Sequence, residues 1–195
     1  MGSSLRTLLA MTGLLLGVGC QNLVVQDTTA DEYVPLTGGS VVLHEDLTIP
    51  PGTAHVYLQR GYVARARNLY DTSCSFEVSA VVEEPQILRA GRFAIVGAGI
   101  GRDEYLTAAP AQVAALGFGF GVGGLWVGRD DGAAMVMYVI VMRLESQDQP
   151  NVRNLTCRSA MDDPARVERL TLQDMQGALG PIATLRPAPA GRQLK

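Results

Sequence analysis

The sequence predicts a mostly β fold: a small β-sandwich or barrel-like domain with one short C-terminal helix. Three observations predict it. Apolar residues alternate with polar ones in several short runs, the period of a half-buried strand. Glycine and proline clusters separate those runs. A single run with helical spacing lies near the C-terminus. The chain has 195 residues, 47% hydrophobic and 18% charged, which suits one packed domain and argues against disorder.

The elements follow in order. In Val41 to Ile49 the odd positions 41, 43, 47 and 49 are apolar, the pattern of a strand. Pro50-Pro51-Gly52 reads as a turn. Ala54, Val56 and Leu58 share the next apolar face, so the two segments read as a hairpin. His44 and His55 then fall on its polar side, together and facing solvent, where paired histidines would bind a metal only weakly. Cys74, Phe76, Val78 and Ala80 share a face, which points Cys74 inward. Phe93 to Val96 is a short apolar run and reads as a strand. Ala133 to Leu144 is apolar and β-branched enough for a central strand. In Asn151 to Cys157, Val152 has the opposite parity to Leu155 and Cys157, which leaves the register open. Thr171 as N-cap with Asp174 three residues on is a capping-box variant. Leu172, Met175 and Leu179 then share one face of a helix over 172–179, which Gly180-Pro181 ends.

Composition limits the functions available. A formal net charge of −3, with no clustered basic face, argues against nucleic-acid binding. Two histidines and three cysteines leave little for a metal centre or a His-based catalytic site. No cofactor is expected. Gly97-Ala98-Gly99 begins like a dinucleotide-binding loop, but Arg102 stands where a third glycine is needed, and no acidic residue follows at the right spacing. The glycines read instead as a turn at a strand end. Asn154-Leu155-Thr156 matches a glycosylation sequon by pattern alone. Asp163-Pro164 reads as the start of a turn.

The N-terminus reads as an address. Arg6 precedes an apolar run from Leu8 to Val18, too short for a comfortable membrane span, and Gly17-Val18-Gly19 leads to Cys20. These residues resemble the bacterial lipoprotein precursors, although Gly17 stands where that class favours leucine. The resemblance implies a signal peptide over 1–19, cleavage before Cys20 and lipidation of Cys20. Gln21, where aspartate would mark retention, implies the outer membrane, with the domain facing the periplasm. The division that follows is signal peptide 1–19, lipidated cysteine and tether 20–39, β-rich periplasmic domain 40–185 and loose tail 186–195. The segments around Cys74 and Cys157 resemble uncharacterised envelope lipoproteins of proteobacteria, from which no function follows.

An exported compartment makes the remaining two cysteines a pair. Cys74 and Cys157 lie 83 positions apart, and the chain-entropy estimate for a loop of that size is roughly 4 kcal/mol. No Cys-x-x-Cys spacing suggests a redox role.

Leu106 to Gly128 carries no charged residue. Within it Phe118, Phe120 and Val122 share a parity opposite to a run of glycines, and Trp126 is the sole tryptophan. A Gly-rich hairpin or loop packed on the domain is one expectation. A contact surface formed by Phe118, Phe120, Val122 and Trp126, binding a partner or dipping into the membrane, is another, and a transmembrane helix is a third. The function expected is that of a membrane-anchored, non-enzymatic envelope protein acting by contact with other envelope components. Two alternatives remain: an exported glycan or cell-wall hydrolase built on carboxylates, and a carrier of a small apolar ligand near Phe118, Phe120 and Trp126.

Overall fold

A computed structural model describes residues 23–106 and 134–189. The fold is mostly β, as expected. Of the two architectures left open, it takes the barrel-like one: a single eight-stranded sheet that curls into a half-barrel. Its strands are β3 (Ser40–Leu43), β5 (His55–Gln59), β6 (Tyr62–Ala64), β7 (Ser73–Val78), β9 (Gly91–Leu106), β10 (Ala134–Glu145), β11 (Val152–Arg158) and β12 (Ala183–Arg186). Their order is β12-β3-β9-β10-β11-β7-β5-β6, and every neighbouring pair is antiparallel. Two small ribbons complete the fold: β1 (Val24–Asp27) with β2 (Glu32–Pro35), and β4 (Leu47–Ile49) with β8 (Gln86–Leu88).

One face of the sheet is covered and holds the main core. Phe76, Phe93, Leu155 and Met142 are fully buried there, with the Phe76 and Phe93 rings 6.1 Å apart and tilted. Helix α1 (Leu172–Leu179) lies over this face and buries Leu172, Met175, Ala178 and Leu179. Its capping box forms as the sequence predicts: the Thr171 hydroxyl accepts from the Asp174 N–H, and the Asp174 carboxylate accepts from the Thr171 N–H at 2.9 Å. Gly180 ends the helix with φ of 57°, a value that favours glycine. A Cβ there would run into the Gly61 backbone, so the helix end and the β5–β6 turn meet main chain to main chain.

Several sequence expectations need correction. Val41–Ile49 is not one strand, and it forms no hairpin with 54–58. Glu45 occupies what should be an apolar position, and the chain breaks there into β3 and β4. Pro50-Pro51-Gly52 does form a turn, but the chain leaving it enters β5 instead of returning along β4. β4 pairs with β8, while β5 pairs with β6 and β7. His44 and His55 are consequently not paired: their strands are separated in the sheet by β9, β10, β11 and β7. The His44 ring lies 2.7 Å from the Thr184 hydroxyl, whereas His55 sits against Tyr57.

The N-terminal limit of the ordered domain also differs. Residues 24–35, read as part of a tether, form the β1–β2 hairpin, and Val25 and Val34 are buried in the core with Leu36. Alternation was hidden here because each strand contributes only one deeply buried side chain. At the other end, the Ala188 N–H donates to the Pro35 carbonyl at 2.9 Å, so the chain stays attached to β2 beyond residue 186.

The ambiguous parity of 151–157 has a physical cause. A β-bulge at Arg153 shifts the register between Val152 and Asn154 against β7. Val152, Leu155 and Cys157 are therefore all buried, despite mixed parity.

Candidate functional site

The disulfide lies at the centre of the covered face. Cys74 on β7 and Cys157 on β11 are directly opposite in register, with Cα atoms 4.0 Å apart, and are bonded. It joins neighbouring strands of one sheet, rather than the two faces of a sandwich. Both residues are buried, and the Met175 carbonyl of α1 lies 3.8 Å from the Cys74 sulfur. Ile100, Ile140, Cys157, Cys74 and Leu58 form one row across five strands of this face. Covered by a helix and flanked by apolar residues, the bond is a staple and not a redox centre.

β9 has a long stretch with a strand on one side only among the described residues. The sequence suggests a short strand ending in a glycine turn after Val96. The strand instead runs on to Leu106, and Gly97, Gly99 and Gly101 are paired residues within it. On its β3 side, pairing covers only Gly91 to Ala94, with two further bonds linking Ile95 to Gly38 and Gly39 at 2.8 and 3.0 Å. From Gly97 onward, β10 is its one strand partner among the described residues. β9 and β10 thus extend as an arm beyond the rest of the sheet.

A bulge at Val96 sets the faces of that arm. Ile95 opposes Leu144, but Gly97 opposes Arg143, so one β9 residue is skipped. Ala98 and Ile100 thereby take over the covered face from Phe93 and Ile95. Gly97, Gly99 and Gly101 all turn to the outer face. A Cβ on Gly99 or Gly101 would meet nothing within 4 Å, so the backbone there is open to approach. On β9 itself charges appear only farther out, where Arg102 pairs with Glu104 at 3.5 Å and Asp103 with Arg158 at 3.8 Å, while Arg143 of β10 lies opposite Gly97.

The outer face carries a small buried apolar cluster, Met137 and Val139 of β10 with Met161, and a polar row beside it. Arg143, Asn154, Glu77 and His55 form a row across β10, β11, β7 and β5. The Asn154 amide donates to Glu77 at 3.3 Å, so the sequon asparagine has a structural partner within the sheet. At the β12 end, an open groove of about 650 Å³ is lined by Ser40, Arg92, Glu145, Asp148 and Arg186. Arg92 donates to the Ser40 hydroxyl at 2.9 Å. Asp163 forms the expected turn, its carboxylate accepting from the Ala165 N–H at 2.8 Å. Among the described residues, no group of three His, Cys, Asp or Glu side chains is placed to hold a metal.

One carboxylate stands apart electrostatically. Asp27, in the β1–β2 turn, is held below the usual aspartate range, first by the Gln173 side-chain amide. Desolvation opposes this, and the Thr29 and Ala30 N–H groups add to it.

The predicted lipidation site Cys20 and the predicted contact residues Phe118, Phe120, Val122 and Trp126 lie outside the described residues. Of the site residues read from the sequence, Cys74 and Cys157 are brought together. The β9 edge escaped sequence reasoning because three glycines and three consecutive charged residues look like a turn and not like a strand. The signal present was the alternation Gly97-Ala98-Gly99-Ile100-Gly101, period two with a bare face. Comparison of the chain with protein-family models, curated proteins and solved structures finds no match.

Proposed function

We propose that this chain is a lipid-anchored, non-enzymatic protein of the cell envelope, held through Cys20 at the outer membrane and facing the periplasm. In this reading it acts by contact, taking an extended segment of another envelope polypeptide along the free edge of β9. The lipoprotein-like N-terminus supports the location. A buried disulfide suits an oxidising compartment. The observation that carries the contact reading is the β9 edge from Gly97 to Gly101, which has no charge, no proline and no second strand beside it among the described residues.

The physical argument concerns unpaired main chain. An edge strand presents a row of N–H and C=O groups that will pair with any strand laid beside it, and soluble proteins usually blunt such edges with charge, proline or a bulge. Here the bulge at Val96 precedes the open stretch, and the charges at 102–104 follow it. In strand addition the main chain supplies affinity and side-chain spacing supplies specificity. The bare outer face at Gly99 and Gly101 admits bulky partner residues.

Position-specific photocrosslinking in intact cells tests this reading. A photoreactive residue at Gly99 or Gly101 is expected to give one reproducible polypeptide adduct. The same residue at Ile87, exposed on β8, gives none. Identical adducts from all three positions, or none from any, would sink it.

A further inference from the structure

We infer that the hollow formed by Leu23, Val24, Tyr33 and Ile100 is the seat on which the protein rests against its lipid surface. The inference builds on the reading that Cys20 is acylated. Val24 is 47% exposed, Tyr33 67% and Ile100 48%, all unusually high for apolar or aromatic side chains that meet at one spot. Together with Leu23 they line one hollow of about 150 Å³, over Ile140 and Leu170. That volume is well below the range of about 300–1,000 Å³ typical of ligand pockets. The hollow is a surface seat, not a carrier cavity.

Chain length fixes where an anchored membrane must be. Leu23 is three residues after Cys20, and three residues span at most about 10 Å even when fully extended. Acyl chains on Cys20 therefore enter the bilayer within about that distance of the hollow. The other large exposed side chains among the described residues are on different elements: Tyr62 and Val63 on β6, Tyr70 between β6 and β7, Val81 and Val82 between β7 and β8, Ile87 on β8 and Val141 on β10. β6 is five strand spacings from β9, roughly 24 Å along the sheet.

The chemistry of the seat matches an interface. Aliphatic side chains with a tyrosine beside them suit the boundary between headgroups and acyl chains. Arg169 lines the same hollow, with its guanidinium 5.8 Å from the Tyr138 ring centre, and can keep its charge among headgroups. Asp27 and Glu32 are paired at the turn end of the β1–β2 hairpin, opposite the Val24–Pro35 end. That is roughly 10 Å from Val24 at strand spacing.

Three tyrosines make the test internal. Tyr33, Tyr62 and Tyr70 are 67%, 75% and 65% exposed, so hydroxyl radicals in water attack them about equally when nothing covers them. The experiment takes the full mature protein, purified from native envelopes and placed at low density in vesicles of phosphatidylethanolamine and phosphatidylglycerol. Intact mass reports acylation of Cys20, and radical footprinting reports exposure. The expected result is an acylated Cys20 with Tyr33 oxidised about fivefold less than Tyr62 and Tyr70, as an interfacial face buried in the headgroup region would be. An acylated Cys20 with all three tyrosines equally oxidised overturns the seat and leaves the anchor standing. An unacylated chain removes the anchor, and the seat with it.

Discussion

The side-chain amide of Gln173, on α1, donates to the Asp27 carboxylate at 2.6 Å, 146 residues earlier in the chain. The same amide donates to the Thr29 hydroxyl at 2.9 Å, while its oxygen accepts from the Thr28 N–H at 2.8 Å. One helix side chain thus fastens the whole β1–β2 turn.

This fastening is acid-sensitive. The Asp27 carboxylate is held below its ordinary value, with Gln173 the largest cause. A depressed folded-state value stabilises the fold above the unfolded-state value, about 3.9 for aspartate, and that contribution is lost as pH falls through the lower folded value. Below that point the β1–β2 turn is expected to loosen while the eight-stranded sheet persists. Amide exchange at Val25 and Val34 measured against pH checks this. Gln173→Ala should speed exchange at those amides severalfold at neutral pH and flatten the acid dependence.

Removing the staple should cost stability without altering the surface. Cys74→Ser with Cys157→Ser is expected to lower unfolding stability by about 2–5 kcal/mol. Urea unfolding of both forms measures it. In the native wild-type protein, mild reductant followed by alkylation should leave both cysteines unmodified, because sheet and helix bury them.

The contact between Gly180 and Gly61 should tolerate no side chain. Gly180→Ala adds a methyl group at φ of 57° and drives it into the Gly61 backbone. The expected loss is about 2–4 kcal/mol, combining strain with displacement of main chain. Gly99→Ala, with open space around it, is the control and should change thermal stability little.

A charge on the β9 edge should separate folding from contact. Gly99→Lys, on the outer face where an added Cβ meets nothing within 4 Å, leaves the core packed. Stability is expected to change by less than about 1 kcal/mol, as at most surface sites. The photocrosslink from Gly101 should disappear, since lysine on an edge discourages strand addition. A retained crosslink would place the contact elsewhere.

Local features were legible in the sequence, and distant pairings were not. The helix over 172–179 was readable because its cap, its apolar spacing and its glycine stop all lie within ten residues. The inward face of Cys74, Phe76 and Val78 was readable from parity alone. The central place of β10 followed from its apolar length. Partner choice failed where the strands are short: β4 and β8 have three residues each, too few for a register signal. The bulges at Val96 and Arg153 each skip a residue, and parity cannot reveal a residue that is skipped. Of the candidate site, the disulfide came from cysteine arithmetic. The β9 edge needed the fold, because an edge is defined by which strands lie beside it among the described residues.

The last elements of the chain complete its earliest ones. β12 pairs with β3, and α1 covers the row that contains the disulfide. A chain released from its N-terminus, by a ribosome or through a translocation channel, therefore presents β3 long before its outer neighbour exists. The core has no cover until residues past 170 have emerged. The cover that α1 and β12 supply thus ties the two ends of the described chain together, Ala183 pairing with Leu43, 140 positions earlier (183 − 43).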